Sequence, residues 1–143
     1  MEELKIGYQG ILPIRTLSKA EVINYAKKYD PLPFHIDLRT AEQSIFKGLV
    51  TSGSQAFKTI YAESWVPKYG HSIIAGLAVN RWNFMKPIYA ESPISSKYEI
   101  LNILNTGNSN QHIITWKISF YNSLDELLQS LEIKVLHHKD LIL

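Results

Sequence analysis

The sequence predicts an α+β fold in which one long antiparallel sheet wraps a central helix. Three observations carry this. A well-capped helix follows the first strand-like segment. A second helical pattern, apolar over a wide face, begins at Ser54. After it, four strand-like segments follow in hairpin order.

Residues 4–17 read as one or two short strands, interrupted at Gly10 and Pro13. Ser18-Lys19-Ala20-Glu21 has the form of a capping box, because Ser18 can accept from the backbone three residues on while Glu21 reaches back. Apolar residues then recur at helical spacing (Val22, Ala26 and Tyr29), which gives a helix over roughly 19–28. That helix must stop near Asp30, since a residue before proline is pushed out of the helical region. Pro31 and Pro33 stiffen the next stretch, so Asp30–His35 is expected to be a rigid loop. Thr40–Ser44 forms a helical turn, with Asp37 as a capping residue.

Gly48 and Gly53 bracket a short apolar segment ahead of the main helix. The helical pattern runs through Phe57, Ile60, Tyr61, Ser64 and Trp65, and is expected to end before Pro67 and Gly70. The strands are read as Ile73–Phe84, Ile94–Leu104 opened by Pro93, His112–Tyr121 and Leu127–Leu136. Asn105-Thr106-Gly107-Asn108 is the turn between the second and third of these. In the third, Ile114, Trp116, Ile118 and Phe120 alternate with polar residues, as in a sheet with one buried face. This order fits the arrangement known as the hot-dog fold. Such a sheet leaves an edge strand open, so at least a homodimer is expected.

At 143 residues and 45% apolar content, the chain has enough material for one domain with a core and too little for two. The expectation is a single domain over 1–143. A net charge of +2 with scattered lysines and arginines excludes a strong electrostatic footprint for nucleic acid, although it suits an anionic carrier. The absence of cysteine excludes disulfides, thiolate zinc sites and thiol nucleophiles. The first residues, Met1-Glu2-Glu3-Leu4-Lys5, do not read as a signal peptide, and apolar runs are too short to span a bilayer. A cytoplasmic protein without membrane contact is expected.

Asp30 and His35 stand five residues apart across two prolines. A carboxylate and an imidazole on one rigid segment can share proton transfer near neutral pH. Downstream, the Gly48–Gly53 segment leads into the main helix, and backbone N–H groups at a helix N-terminus point outward and can hold developing negative charge. Two readings stand on the residues alone: an acid/base pair with an oxyanion site, or a turn-capping Asp, a structural His and an ordinary helix start.

Tyr29-Asp30-Pro31-Leu32-Pro33-Phe34-His35-Ile36-Asp37 resembles the signature of the MaoC-like, (R)-specific enoyl-CoA hydratase family. Phe46-Lys47-Gly48-Leu49-Val50-Thr51-Ser52-Gly53 resembles that family's second block. Leu32 stands where the (R)-hydratase pattern often has Asn. The resemblance implies a hot-dog fold and reversible syn addition of water to a trans-2-enoyl thioester, giving a (3R)-hydroxyacyl thioester. It implies Asp30 and His35 as the dyad, Gly53 as oxyanion donor, and Ser52 and Gly48 as further substrate-binding positions. The thioester is carried on CoA or acyl carrier protein, and no cofactor is implied. Two rivals remain. One is a hot-dog thioesterase, in which a carboxylate directs water at the carbonyl. The other is a non-catalytic acyl-binding subunit of a dehydratase complex.

Other residues attract blander readings. His71, His112, His137 and His138 lack metal-ligand spacing. Trp65, Trp82 and Trp116 sit in core or interface patterns, and Tyr61 in a packing one. Ser52 and Ser54 have no adjacent base, and Gly-x-Ser-x-Gly is absent.

Overall fold

The computed structural model describes residues 4–140. Strand β1 (Gln9–Thr16) leads into helix α1 (Lys19–Tyr29), followed by two short helical turns, α2 (Pro33–Ile36) and α3 (Leu38–Gln43). The central helical rod is built from α4 (Gln55–Ile60), a π-helical turn (Tyr61–Trp65) and α5 (Val66–Tyr69), and closes in a 3-10 turn (Gly70–Ser72). Strands β2 (Ile73–Phe84), β3 (Pro93–Asn105), β4 (Gln111–Tyr121) and β5 (Leu127–His138) complete the molecule. All five strands pair antiparallel in the order β1-β3-β4-β5-β2, with β1 and β2 at the edges. Among the described residues no helix is long and apolar enough to cross a membrane.

The capping box forms as the sequence predicts. Ser18 Oγ accepts from the Glu21 N–H at 3.1 Å, and Glu21 Oε1 accepts from the Ser18 N–H at 3.3 Å. Glu21 has a second task. Arg15 on β1 donates to both Glu21 and Glu63, tying the first strand to α1 and to the central rod. Those hydrogen bonds hold both carboxyls below the usual carboxylate range. Pro13 does not split the first strand. The ladder shifts register between Leu12 and Arg15, so the missing N–H falls in a bulge on an edge strand, where proline is tolerated.

Two helix readings are corrected. The Asp30–His35 segment, expected as a rigid loop, contains the turn α2, with Pro33 in its first turn, where a missing N–H costs nothing. The central helix does not end before Pro67 but passes through it to Tyr69. The Val66 N–H bonds to the Tyr61 carbonyl five residues back, and this π turn absorbs the extra residue ahead of the proline.

The sheet's inner face closes on the rod through aromatic packing. Trp65 and Trp116 are fully buried and meet edge-to-face with centroids 5.3 Å apart. Tyr69 donates its hydroxyl hydrogen to Tyr98 at 2.8 Å. The Tyr98 ring lies over its cross-strand partner Gly10, where a Cβ would stand 2.2 Å from the ring. Gly10 is therefore a packing requirement rather than an interruption.

His137 is buried in the same core. Its Nε2 accepts from the Trp116 indole N–H at 3.0 Å, which places the ring proton on Nδ1, facing Ser72 Oγ at 2.8 Å. Ser72 Oγ in turn donates to the Tyr69 carbonyl. The chain of donors is complete only while the ring is neutral. Burial pushes the His137 pKa from 6.5 down to about 4. The lowered folded value means that the unfolded chain binds the proton first, so this stability is full above pH 6.5 and is lost as pH falls toward 4. Between pH 7 and pH 4.5 the loss should be about 2–3 kcal/mol. Urea unfolding at the two pH values checks this against His137→Gln, which should lose less stability on acidification than the parent. Equal losses would contradict it.

Candidate active site

The site is built where the end of α1 meets the segment leading into α4. Asp30 closes α1, its N–H bonding to the Ala26 carbonyl at 2.8 Å. The chain then turns through Pro31 and enters α2, which carries His35. The structure brings the two side chains together, with Asp30 Oδ2 lying 3.5 Å from His35 Nε2. Asp30 is partly open to solvent, whereas His35 is only 6% exposed.

Each member is fixed by a partner on the 50–53 segment. His35 Nδ1 lies 2.7 Å from the Val50 carbonyl. A carbonyl only accepts, so Nδ1 carries the proton and a neutral ring presents a bare Nε2 to Asp30. Ser52 Oγ donates to Asp30 Oδ2 at 2.9 Å. Phe34 packs beside the imidazole, meeting it edge-on with centroids 4.5 Å apart, and Phe46 packs against Phe34.

With the ring neutral, the carboxylate oxygen and the imidazole Nε2 are both acceptors. Facing each other at 3.5 Å, they suit a water that donates one hydrogen to each and keeps its lone pairs outward. The arrangement can orient water and receive a proton from it.

His35 and Gly53 line a cleft of about 260 Å³, together with apolar side chains that include Phe46, Phe84, Met85 and Ile88. Among the described residues the Gly53 N–H has no acceptor paired with it. The Phe84 ring lies against Gly53, where a Cβ would stand 2.9 Å from Cζ. Asp30, His35 and Ser52 are joined by direct contacts and Gly53 follows Ser52; of the four, His35 and Gly53 line the cleft. Gly48 lies apart, beside the Tyr89 ring and outside the cleft lining. Leu32 is the N-cap of α2, is 45% exposed and makes no side-chain capping bond. Asp37 caps α3 by accepting from the Thr40 N–H.

Sequence reasoning missed Gln129. It lies on β5, is buried, and lines the cleft. Its Nε2 donates to the Gly53 carbonyl at 3.0 Å, and its Oε1 accepts from the Trp82 indole N–H at 3.4 Å. A signal was present in the strand pattern: Gln129 shares the inward parity of the buried residues Leu131, Ile133 and Val135.

The MaoC like domain model matches residues 9–117, which include every element of the site except Gln129. YdeM of Bacillus subtilis (strain 168) is 29% identical over 138 residues, covering 95% of this chain and 96% of that protein. The MaoC-like dehydratase from Rhodospirillum rubrum superimposes with a TM-score of 0.83 at 23% identity, over 94% of this chain and 93% of that one. The (R)-hydratase from A. caviae involved in PHA biosynthesis gives 0.73 at 20% identity, over 94% and 98%.

The site geometry yields one direct spectroscopic expectation. Long-range 1H–15N spectra should show the neutral His35 ring as the Nδ1–H tautomer; an Nε2–H tautomer would contradict the Val50 contact. The five-stranded antiparallel sheet around a central helix is the hot-dog fold, and with a family match over residues 9–117 this chain belongs to the MaoC-like domain family.

Proposed function

We propose that this chain is a single-domain enoyl-thioester hydratase/dehydratase that adds water reversibly to trans-2-enoyl thioesters, giving (3R)-hydroxyacyl thioesters. The observation that carries this reading is the Asp30–His35 pair, held 3.5 Å apart, with His35 on the lining of the cleft. In the hydration direction, Asp30 and His35 hold a water over the β-carbon. Its oxygen bonds to that carbon, and the alkene electrons move toward the thioester carbonyl. The Gly53 N–H stabilises the enolate oxygen. The proton released by the water is returned through His35 to the α-carbon, so H and OH add from one face and no cofactor is consumed. Ser52 keeps the Asp30 carboxylate aimed at the water. Gly48 is assigned a part in shaping the segment ahead of Gly53, since it stands outside the cleft lining.

The acyl carrier is CoA or acyl carrier protein, and the setting is the cytoplasm. The working unit is a homodimer or higher homo-oligomer. In support, β2 is an edge strand that exposes Leu77 and Val79 by about half. Sedimentation velocity should find a dimer at micromolar concentration, and Val79→Lys should shift it toward monomer. A monomeric parent would contradict that assembly.

The activity is tested with crotonyl-CoA, following loss of the enoyl absorbance and release of free thiol. Hydration without thiol release is expected. Thiol release would instead mean hydrolysis, and inactivity with both CoA and carrier-protein substrates would point to an acyl-binding subunit. Asp30→Asn and His35→Ala should each lower turnover by about 100-fold or more, as for acid/base groups. Near-parental turnover in both variants would overturn the assignment of the dyad.

A further inference from the structure

We infer that Gln129 is a positioning residue for the Gly53 amide, acting through the backbone and not through the substrate. The inference rests on the proposed oxyanion role of Gly53.

Gln129 is 3% exposed and stands on β5 opposite Phe84 of β2 and Phe120 of β4. A polar amide at an inward position between two aromatics is costly unless both its ends are paired, and a leucine or methionine would pack there without that demand. Both ends are paired. The amide NH2 donates to the Gly53 carbonyl and the amide oxygen accepts from Trp82. The carbonyl can only accept and the indole can only donate, so this rotamer is the one that satisfies both. Trp82 is itself held against Phe57 of α4 and Phe84 of β2.

The consequence falls on Gly53. Glycine has the widest choice of backbone angles, so each of the two peptide planes that meet at its Cα must be held from outside. The Gln129 bond fixes the plane that carries the Gly53 carbonyl, and the Phe84 ring closes the opposite approach at the Gly53 Cα. The Gly53 N–H lies on the adjoining plane with the Ser52 carbonyl, which accepts from the Gln55 N–H at 3.1 Å, so with both planes held the N–H keeps one direction. An oxyanion donor works only if it is aimed before the charge develops. Gln129 therefore supplies pre-orientation from a strand 76 positions away in sequence.

The test compares Gln129→Leu and Gln129→Glu with the parent. In Gln129→Leu, kcat on crotonyl-CoA should fall by about 10- to 100-fold, the range for a misaimed or missing donor, while KM stays within about threefold. Gln129→Glu keeps the acceptor for Trp82 but can donate to the Gly53 carbonyl only when protonated. Relative to Gln129→Leu, its activity should rise as pH falls from 8 to 6. A role confined to packing would give neither the kcat-against-KM split nor that slope.

A second readout does not need turnover: hydrogen exchange and the 15N shift of the Gly53 amide in the ligand-free protein. Faster exchange and a shifted Gly53 signal in Gln129→Leu are expected, with the Ala26 and Leu131 amides unchanged. If the parent is inactive on enoyl thioesters, the proposed function fails while this readout still decides the clamp. Parental kcat, or an unaltered Gly53 amide in a folded Gln129→Leu, would overturn the inference. So would a loss of kcat matched by an equal loss of folded protein.

Discussion

The hydrogen bond between the His35 ring and the Val50 carbonyl is the contact on which the candidate site depends. It does two things at once. It sets the tautomer, because a carbonyl can take only a donor, and so it determines which imidazole nitrogen faces Asp30. It also fastens α2 to the segment that becomes the central helix, and the Ser52–Asp30 bond fastens the end of α1 to that same segment. With these two bonds in place, a carboxylate faces an imidazole, and the imidazole and a free backbone N–H border the cleft; no metal-ligand cluster occurs among the described residues.

The surrounding fold supplies rigidity from several directions. Arg15 bridges β1, α1 and the π turn, so the helix that ends in Asp30 cannot swing away from the rod that begins beyond Gly53. The aromatic packing of Trp65, Trp116, Tyr69 and Tyr98 seats that rod in the sheet. The polar chain through His137, Ser72 and Trp116 adds direction to what would otherwise be an oily contact, and makes the core sensitive to acid. From the far side, β5 reaches Gly53 through Gln129. The site is thus held by short-range contacts near α2 and by a long-range contact across the sheet.

Much of this was legible in the sequence. The capping box at Ser18 and Glu21 forms, the α+β plan with four later strands is correct, and the inward set Ile114, Trp116, Ile118 and Phe120 is buried. Local rules sufficed there because the local preference and the tertiary environment agree. They failed at prolines and at pairings distant in sequence. Pro13 and Pro67 looked like stops, yet a bulge and a π turn absorb them, and both devices depend on neighbours that one-dimensional patterns do not show. Gly10 looked like a break because its purpose, space for the Tyr98 ring, lies on another strand. The proximity of Asp30 and His35 was inferable from two prolines and a spacing of five, whereas the Val50 and Gln129 partners needed the folded chain.

The central claim is that water adds to the β-carbon of an enoyl thioester from the face that Asp30 and His35 share. Product analysis tests it most directly: incubate the protein with crotonyl-CoA in water enriched in 18O and resolve the product by chiral chromatography and mass spectrometry. The account predicts (3R)-3-hydroxybutyryl-CoA with 18O on C3 and the thioester intact. A (3S) product, or 18O appearing in a free carboxylate with release of CoA, would contradict it.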